Sequence, residues 1–305
     1  MDEIVLSVKD FRKTYGDFVA VSGIDFAVQR GEIFGLLGPN GAGKTTTLEC
    51  LEGIRKPDAG ELRVLGVDPT REPRKLNNLI GVQLQTSGLP ANMTVVEALK
   101  FFSAYHAVPP KFELLERLGL DEKSRAQYSQ LSTGLQRRLA LVLAIAHNPP
   151  VIILDEPTAG LDVATRAELH KLMKELKQEG TTIIMATHDM AEAEKTSDRV
   201  AILLRGQIVT TGTPREITAT GSGLTKISVH SEDSSLHKEG LTLPAVAQKS
   251  VQEEYIIFFS NNTGLTVTAL LDYLNERGDN LVDLRVERPS LEERFLEITD
   301  RGRTQ

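Results

Sequence analysis

Apolar and polar residues alternate along the first thirty positions of the chain, at Ile4, Leu6 and Val8 and again over residues 19–28. This period of two predicts antiparallel strands, joined by a turn at Gly16-Asp17. Residues 32–37 form a nearly continuous apolar run, which is typical of a buried parallel strand. A glycine-rich loop and a helical pattern follow it, so the start of the chain predicts an antiparallel sheet beside an α/β core.

Helical periodicity dominates residues 86–147, and we predict a helical subdomain inserted into the α/β core. Inside it, Thr94 and Glu97 form a capping box that opens a helix over residues 94–106. A long amphipathic helix is predicted over residues 161–179, ended by Gly180. Further strands are predicted over residues 151–154, 181–186, 200–204 and 207–211.

The C-terminal third has a different pattern and predicts a separate small domain. Thr213-Pro214 reads as a helix start, and residues 218–223 are small and polar, as in a linker. Strands are predicted beyond it over residues 226–230, 255–259 and 281–286, and helices over 265–277 and from Ser290. We therefore predict a first domain over residues 1–217, a linker over 218–223 and an α+β domain over 224–305.

The composition limits the function classes. The net charge of −7 argues against a broad nucleic-acid surface, although it leaves room for a local basic patch. Cys50 is the single cysteine, so no intrachain disulfide can form, and we expect it to be a small buried residue. The longest apolar run covers only residues 139–146, whereas a membrane span needs about 20 residues. We expect no membrane crossing by this chain alone.

A phosphate-binding loop follows the strand at residues 32–37. Its glycines let backbone N–H groups point at phosphate oxygens, and the following helix adds its positive end. Lys44 is expected to reach the β- and γ-phosphates of ATP, Thr45 to ligate Mg²⁺ and Thr46 to hold the α-phosphate side. The predicted nucleotide-binding residues here are Gly38, Pro39, Asn40, Gly41, Ala42, Gly43, Lys44, Thr45 and Thr46.

Asp155 and Glu156 follow directly after the apolar strand at residues 151–154. We predict that they form the second half of the nucleotide site. Two carboxylates at the end of a buried strand need partners, and Mg²⁺ and a water supply them. Asp155 is expected in the outer shell of the metal, through a water, and Glu156 is expected to polarise the attacking water as a general base. The alternative is that Glu156 caps a turn before Pro157.

Further motifs follow in a fixed order: Gln85, then Leu131-Ser132-Thr133-Gly134-Leu135, then Leu161-Asp162, then Thr187-His188. Together with the phosphate loop, their order and spacing resemble the ATPase subunit of ATP-binding cassette (ABC) transporters over residues 4–217. The resemblance implies a RecA-like P-loop NTPase core with an antiparallel β subdomain and a helical subdomain. It also implies a homodimer in which Ser132 and the Gly134 N–H bind the γ-phosphate held by the other copy. Thr133 and Leu135 depart from the family signature, usually Leu-Ser-Gly-Gly-Gln.

The resemblance assigns roles to the other motif residues. Gln85 would ligate Mg²⁺ and sense the γ-phosphate, with Gln83 as the alternative. Asp162 would cross the dimer, or simply cap a helix, and His188 would hold the γ-phosphate and position water.

Tyr15 resembles the aromatic residue that stacks on adenine in this family. Phe11 and Phe18 are the neighbouring aromatic residues and are open as core positions instead.

Residues 289–296, Pro-Ser-Leu-Glu-Glu-Arg-Phe-Leu, resemble the C-terminal extension of daunorubicin-resistance-type exporters. The capping box of Ser290 with Glu293 predicts a packing helix there. The resemblance implies a partner permease of the ABC-2 type, docked near Gln85, at the cytoplasmic face of the membrane, with no nucleic acid. It does not name the cargo.

Two alternatives stay open at this point. One is a soluble ABC ATPase acting on ribosomes or nucleic acid, although such proteins usually carry two cassettes or a long coiled-coil insertion. The other is a nucleotide-binding regulatory module without turnover, which Glu156 and His188 disfavour.

Overall fold

The computed structural model describes residues 3–84, 88–219, 224–237, 241–288 and 290–301. Contacts divide the chain into two compact units, with the division between Thr213 and Pro214. No helix among the described residues is long and apolar enough to cross a membrane.

The strands of the described chain are β1 (Ile4–Tyr15), β2 (Phe18–Gln29), β3 (Ile33–Leu37), β4 (Ala59–Val64), β5 (Ile80–Gln83), β6 (Val151–Asp155), β7 (Thr182–Thr187), β8 (Arg199–Leu204), β9 (Gln207–Gly212), β10 (Thr225–Ser231), β11 (Val246–Gln252), β12 (Tyr255–Ser260) and β13 (Leu281–Glu287). The α-helices are α1 (Lys44–Leu51), α2 (Pro73–Asn77), α3 (Val95–Tyr105), α4 (Glu113–Arg117), α5 (Thr133–Ile145), α6 (Val163–Gln178), α7 (Met190–Thr196), α8 (Pro214–Ala219), α9 (Thr263–Arg277) and α10 (Leu291–Arg301).

Two sheets enclose helix α1 in the first unit. The antiparallel sheet has the order β2-β1-β4, and the larger sheet has the order β5-β6-β7-β3-β8-β9. Helix α1 contacts strands of both sheets, and it buries Leu48, Cys50 and Leu51 in their shared core. Cys50 is fully buried, and burial raises its thiol pKa to about 12, as expected for a packing residue.

The larger sheet positions the functional loops. Strands β5, β6, β7, β3 and β8 are parallel, and only β9 pairs antiparallel, with β8. Leu37 pairs with Thr187, and Asp155 pairs with Ala186, so β3, β6 and β7 end side by side. Ligands of such sheets bind outside the carboxyl ends of the strands. The loops after these three strands therefore meet at one edge.

The predicted helical subdomain is present between β5 and β6. Helix α3 contacts α5, and α5 also contacts α4 and strand β5. The predicted capping box is confirmed, since the Thr94 side chain accepts a hydrogen bond from the Glu97 N–H and the Glu97 side chain accepts one from Thr94. The RecA-like α/β core of the prediction is confirmed with it.

The second unit has its own antiparallel sheet, in the order β11-β12-β10-β13. A separate core forms between this sheet and α9, around Ile227, Val229, Phe258, Leu270 and Leu274. The predicted capping box of α10 is present, because the Glu293 N–H donates to Ser290 Oγ at 3.2 Å and the Ser290 N–H donates to Glu293 Oε2 at 3.1 Å.

The boundary between the units differs from the prediction. Helix α8 contacts α10 and so belongs to the second unit, which moves the boundary from residue 217 to Thr213. Residues 218 and 219 of the predicted linker end α8, and residues 220–223 lie outside the described residues.

Truncation tests this division. A chain ending at Thr213 should fold and bind MgATP within about threefold of the full chain, under about 1 kcal/mol, because the core of the first unit is complete without the second. Circular dichroism and nucleotide titration measure both. A chain ending at Leu204 loses β9 and is the destabilised control. A folded chain that no longer binds ATP would contradict the division.

Candidate functional site

A cavity of about 270 Å³ lies at the carboxyl edge of the larger sheet. It brings together the predicted phosphate loop, the predicted adenine-stacking residue and the predicted base. Its lining residues are Tyr15, Phe18, Ala20, Asn40, Gly41, Gly43, Lys44, Thr45, Thr46 and Glu156.

Two glycines of the loop are needed for close backbone approach. A Cβ at Gly38 would lie 2.2 Å from the Leu203 carbonyl oxygen, and one at Gly43 would lie 2.5 Å from the Ala20 carbonyl oxygen. Gly43 also has a φ of 106° and caps α1 without any side-chain hydrogen bond. The first turn of α1 thus faces the cavity in the arrangement that binds phosphate at helix N-termini.

Lys44 extends back along the loop. Its Nζ donates to the carbonyl oxygens of Gly38 at 2.8 Å and Pro39 at 3.2 Å, and lies 3.8 Å from Glu156 Oε1. Burial lowers the pKa of Lys44, and the carboxylates of Glu156 and Asp155 oppose that shift. The loop therefore holds a nearly buried cation in the cavity, as phosphate contact requires.

Glu156 has a strained backbone. Its φ is 51°, in the left-handed region, and its N–H donates to the Ala186 carbonyl oxygen of β7 at 2.9 Å. Such a conformation costs on the order of 1–3 kcal/mol in a residue other than glycine and is held by its surroundings. The side chain then lies between two partners, with Oε2 at 2.8 Å from His188 Nδ1 and Oε1 facing Lys44. This geometry favours the predicted base over a simple turn cap.

Of the two aromatic residues left open as core positions, Phe11 and Phe18, one is buried and the other is exposed. Phe11 is fully buried in the core, whereas Phe18 is 59% exposed and lines the cavity beside Tyr15. The core option for Phe18 was therefore wrong, because the β1–β2 hairpin places both side chains of its last pair, Tyr15 and Phe18, on one face. The cations of Lys13 and Arg55 each lie 5.4 Å from the Tyr15 ring centroid.

The signature lies at the start of helix α5, where Ser132 is exposed and Gly134 is half-buried. Ser132 is its N-cap, and the Leu135 N–H donates to Ser132 Oγ at 3.4 Å. A Cβ at Gly134 would lie 3.4 Å from the Gly160 carbonyl oxygen, so this helix start approaches the loop before α6 closely. Neither residue lines the described nucleotide cavity.

The loop before α6 is attached to the signature helix. Arg137 donates to the Ala159 carbonyl oxygen, and Arg138 pairs with Asp162. Asp162 is also the N-cap of α6, accepting from the Thr165 N–H at 2.9 Å. The capping alternative for Asp162 is thus present, and its role across a dimer stays a prediction.

The choice between the two glutamines stays open. Gln83 ends β5 and is buried, and its Oε1 has no hydrogen-bond partner among the described residues. Gln85, the predicted Mg²⁺ ligand, lies outside the described residues.

Comparisons with known proteins identify the family of this chain. A family model described as ABC transporter matches residues 21–159. The chain is 35% identical to the Nod factor export ATP-binding protein I of Paraburkholderia xenovorans strain LB400, over 99% of each chain. The chain belongs to the ABC transporter family. This cassette is also 37% identical to the probable multidrug ABC transporter ATP-binding protein YbhF of Escherichia coli strain K12, over 71% of the cassette chain and 38% of that protein.

Solved structures with similar folds support the same family assignment. The ATP-binding subunit of an ABC transporter superposes with a TM-score of 0.66 and 29% identity, covering 70% of the cassette chain and 91% of its own. A dimeric bacterial ABC transporter cassette gives 0.64 and 27%, covering 68% and 98%. The cassette is therefore an ATPase that uses ATP with Mg²⁺.

The side chains of Asp155 and Thr45 are suited to hold Mg²⁺. Asp155 is buried, its Oδ1 has no hydrogen-bond partner among the described residues, and the Thr45 hydroxyl bonds to its carboxyl group. Burial raises the Asp155 pKa, and the Thr45 bond opposes that shift. Thr45 would hold Mg²⁺ directly and Asp155 through a water, and the ion would neutralise phosphate charge.

Glu192 is a site residue that the sequence analysis missed. Its buried carboxylate accepts from Thr158 Oγ1 at 2.6 Å and Thr187 Oγ1 at 3.4 Å, and lies 3.0 Å from His170 Nε2. Thr158 follows the base by two positions and Thr187 precedes His188. One carboxylate on α7 therefore contacts a residue beside Glu156, which lines the cavity, and a residue beside His188, which bonds to Glu156.

Substituting the aromatic residues tests the stacking role. Tyr15→Ala should weaken ATP binding about tenfold, since base–aromatic stacking contributes about 1–3 kcal/mol, and Phe18→Ala should weaken it by a smaller factor. Phe101→Ala is the matched control, because that ring is 58% exposed on helix α3, away from the cavity lining. Nucleotide titration measures each. Unchanged affinity in Tyr15→Ala would remove the stacking assignment.

Glu192→Ala should lower kcat more than it changes KM for ATP. The hydroxyls of Thr158 and Thr187 lose their acceptor, and an unsatisfied buried group costs about 1–3 kcal/mol. Glu192→Gln keeps an acceptor oxygen and should recover part of the rate. Steady-state ATPase kinetics together with thermal unfolding distinguishes this effect from a loss of stability, and Glu61→Ala, at an exposed position of strand β4, is the control. A normal kcat in a stable Glu192→Ala protein would contradict it.

Proposed function

We propose that this cassette is the ATP-hydrolysing subunit of an exporter, in which two copies close around ATP and drive a separate membrane permease of the ABC-2 type. The cassette would lie at the cytoplasmic face of the membrane, held there by the permease, with no nucleic acid involved. The cargo would contact the permease.

The position of the signature outside the nucleotide cavity is the observation that carries the proposal. Ser132 and Gly134 begin a capped helix, yet the described nucleotide cavity is lined by other residues. A second copy offers the γ-phosphate that such a helix start can bind. The similarity to a dimeric transporter cassette supports this arrangement.

The proposed direction of transport, which is export, is supported by the names of two relatives. The full-length similarity is to a protein named for Nod factor export, and a second relative is named a probable multidrug transporter subunit. The similarity to the first extends over the C-terminal unit, since it covers 99% of the chain. That unit contributes none of the described cavity residues, which supports a role in contacts rather than in chemistry.

In the proposed reaction, Glu156 orients the attacking water and accepts its proton. His188, at 2.8 Å, holds the Glu156 carboxylate in position and contacts the γ-phosphate from the exposed side. Lys44 neutralises charge on the β- and γ-phosphates. Preorganised groups of this kind need no rearrangement at the moment of reaction.

Cell fractionation tests the assignment. Co-expression with a candidate multi-spanning membrane protein encoded beside this gene should move the cassette from the supernatant to the membrane fraction. Expression without it should leave the cassette in the supernatant. Co-sedimentation with ribosomes, independent of any membrane protein, would favour the alternative of a ribosome-associated ABC ATPase.

Glu156→Gln should retain ATP binding and lower kcat by about a hundredfold or more, the scale of general-base catalysis. The amide has nearly the same shape but cannot accept the proton, so the ATP-bound dimer should accumulate. Light scattering after gel filtration with MgATP measures its mass. The double variant Glu156→Gln with Lys44→Ala is the control and should stay monomeric. Normal hydrolysis in Glu156→Gln would exclude the base assignment.

A further inference from the structure

A histidine of helix α6 contacts the buried carboxylate of helix α7. His170 Nε2 lies 3.0 Å from Glu192 Oε1, and this contact joins the two helices. The Glu192 side chain is 1% exposed and the His170 side chain is 20% exposed. Neither residue lines the nucleotide cavity. Any effect of His170 on ATP hydrolysis therefore passes through the groups that it contacts.

The Glu192 carboxylate has donors on both oxygens. Oε2 accepts from the hydroxyls of Thr158 at 2.6 Å and Thr187 at 3.4 Å, whereas the His170 ring lies at Oε1. A buried carboxylate is costly unless hydrogen bonds or an opposite charge compensate it. Among the described residues, His170 is the only basic side chain within ion-pairing distance of this carboxylate. An ionised carboxylate only accepts hydrogen bonds, so the proton of this contact is on His170 Nε2.

The two threonines lie beside the two members of the contact between the proposed base and its histidine. Thr158 follows Glu156 by two positions. Thr187 directly precedes His188. Glu156 Oε2 and His188 Nδ1 lie 2.8 Å apart. The Glu192 carboxylate therefore bridges the two segments that carry this pair, and a rotation of the carboxylate would release a threonine hydroxyl on one side or on both.

Helix α6 fixes the position of the His170 ring. The N-cap of the helix is Asp162, whose side chain accepts a hydrogen bond from the Thr165 N–H at 2.9 Å. The helix also buries three apolar side chains near His170, which are Leu169, Leu172 and Met173. A donor on a capped and packed helix has little freedom of movement, and it restricts the carboxylate that it contacts to one orientation.

We propose that His170 is a positioning residue for ATP hydrolysis. Its Nε2–H holds the Glu192 carboxylate in the orientation in which the other oxygen accepts from both threonines, and this keeps Glu156 and His188 in contact. The inference rests on the proposed role of Glu156 as the base. A small displacement of a reacting group lowers the rate even where the substrate is still bound. The expected result of losing the His170 donor is a fall in kcat with little change in KM for ATP.

Two amide variants separate the hydrogen bond from the mere presence of a polar side chain. In His170→Gln the amide nitrogen can take the place of Nε2, whereas the shorter side chain of His170→Asn places it near the position of Nδ1. We expect His170→Asn to lower kcat about tenfold, equal to about 1.4 kcal/mol, and His170→Gln to stay within about threefold of the unchanged chain. KM for ATP should change by less than about twofold in both, because the cavity lining is untouched. Steady-state ATPase kinetics of the full-length protein measures both constants.

A ring without a donor and a neighbouring residue complete the comparison. His170→Phe keeps an aromatic ring and should resemble His170→Asn. Lys171→Ala is the matched control, since Lys171 is the exposed neighbour on the same helix, and it should keep the kcat of the unchanged chain. Thermal unfolding of each variant identifies a loss of stability. If His170→Phe does not fold, the comparison of His170→Gln with His170→Asn decides. Equal kcat values in those two variants, whether normal or lowered, would overturn the proposal.

A double-mutant cycle tests whether His170 acts through Glu192. Adding His170→Asn to Glu192→Ala should lower kcat further by less than about twofold, because the carboxylate that the ring holds is already absent. If the two losses multiply instead, His170 acts independently of Glu192 and the proposed route is wrong.

Glu156→Gln separates this inference from the proposed function. Normal hydrolysis in Glu156→Gln contradicts the base assignment, whereas a loss in His170→Asn that His170→Gln restores still supports His170 as a positioning residue. If Glu156→Gln abolishes turnover and both His170 variants hydrolyse ATP normally, the role of His170 alone is excluded.

Discussion

The contacts of Glu156 with Lys44 and His188 are the constraint on which the site depends. These three residues come from three loops, which meet because β3, β6 and β7 are parallel neighbours that end at one edge. The Lys44 and Glu156 side chains are 5% and 9% exposed. Removing one partner of a buried pair leaves the other uncompensated, at a cost of about 3–5 kcal/mol. The strained Glu156 backbone is tolerated because β7 holds its N–H.

The parts that the sequence predicted are those with local causes. The buried strands before Gly38 and Asp155, the caps at Thr94 and Ser290, and the phosphate loop all follow from short-range patterns. Strands β4, β5 and β11 were missed: β5 has only four residues, and most residues of β4 and β11 are exposed or half-buried, with β4 beginning at Ala59-Gly60. Gly60 lies where β1 is irregular: a Cβ there would come within 2.4 Å of the Asp10 carbonyl oxygen. Such a position is fixed by the neighbouring strand and leaves no periodic signal.

Three residues whose surroundings the sequence did not reveal share another cause. Phe18, Glu52 and Glu192 each look ordinary in the sequence, as a strand residue, a helix-end glutamate and a first-turn glutamate. Their surroundings come from elements distant in the chain: Phe18 lies beside the phosphate loop, Glu52 beside α5, and Glu192 beside Thr158 and His170. No pattern within a short window contains those contacts. The buried oxygen of Glu52, which has no hydrogen-bond partner among the described residues, becomes visible only when burial and hydrogen bonds are known.

Helix α1 runs from the nucleotide cavity to a second cavity of the first unit, which Glu52 helps to line. Lys44 begins the helix, and Glu52 caps its other end after eight helical residues. Leu48, Cys50 and Leu51 are at most 1% exposed, packed between two sheets, so the helix cannot bend independently of them. Close-packed interiors transmit small displacements as rigid shifts. A bound phosphate that shifts Lys44 would therefore shift a tightly packed helix, and with it Glu52 at the far end.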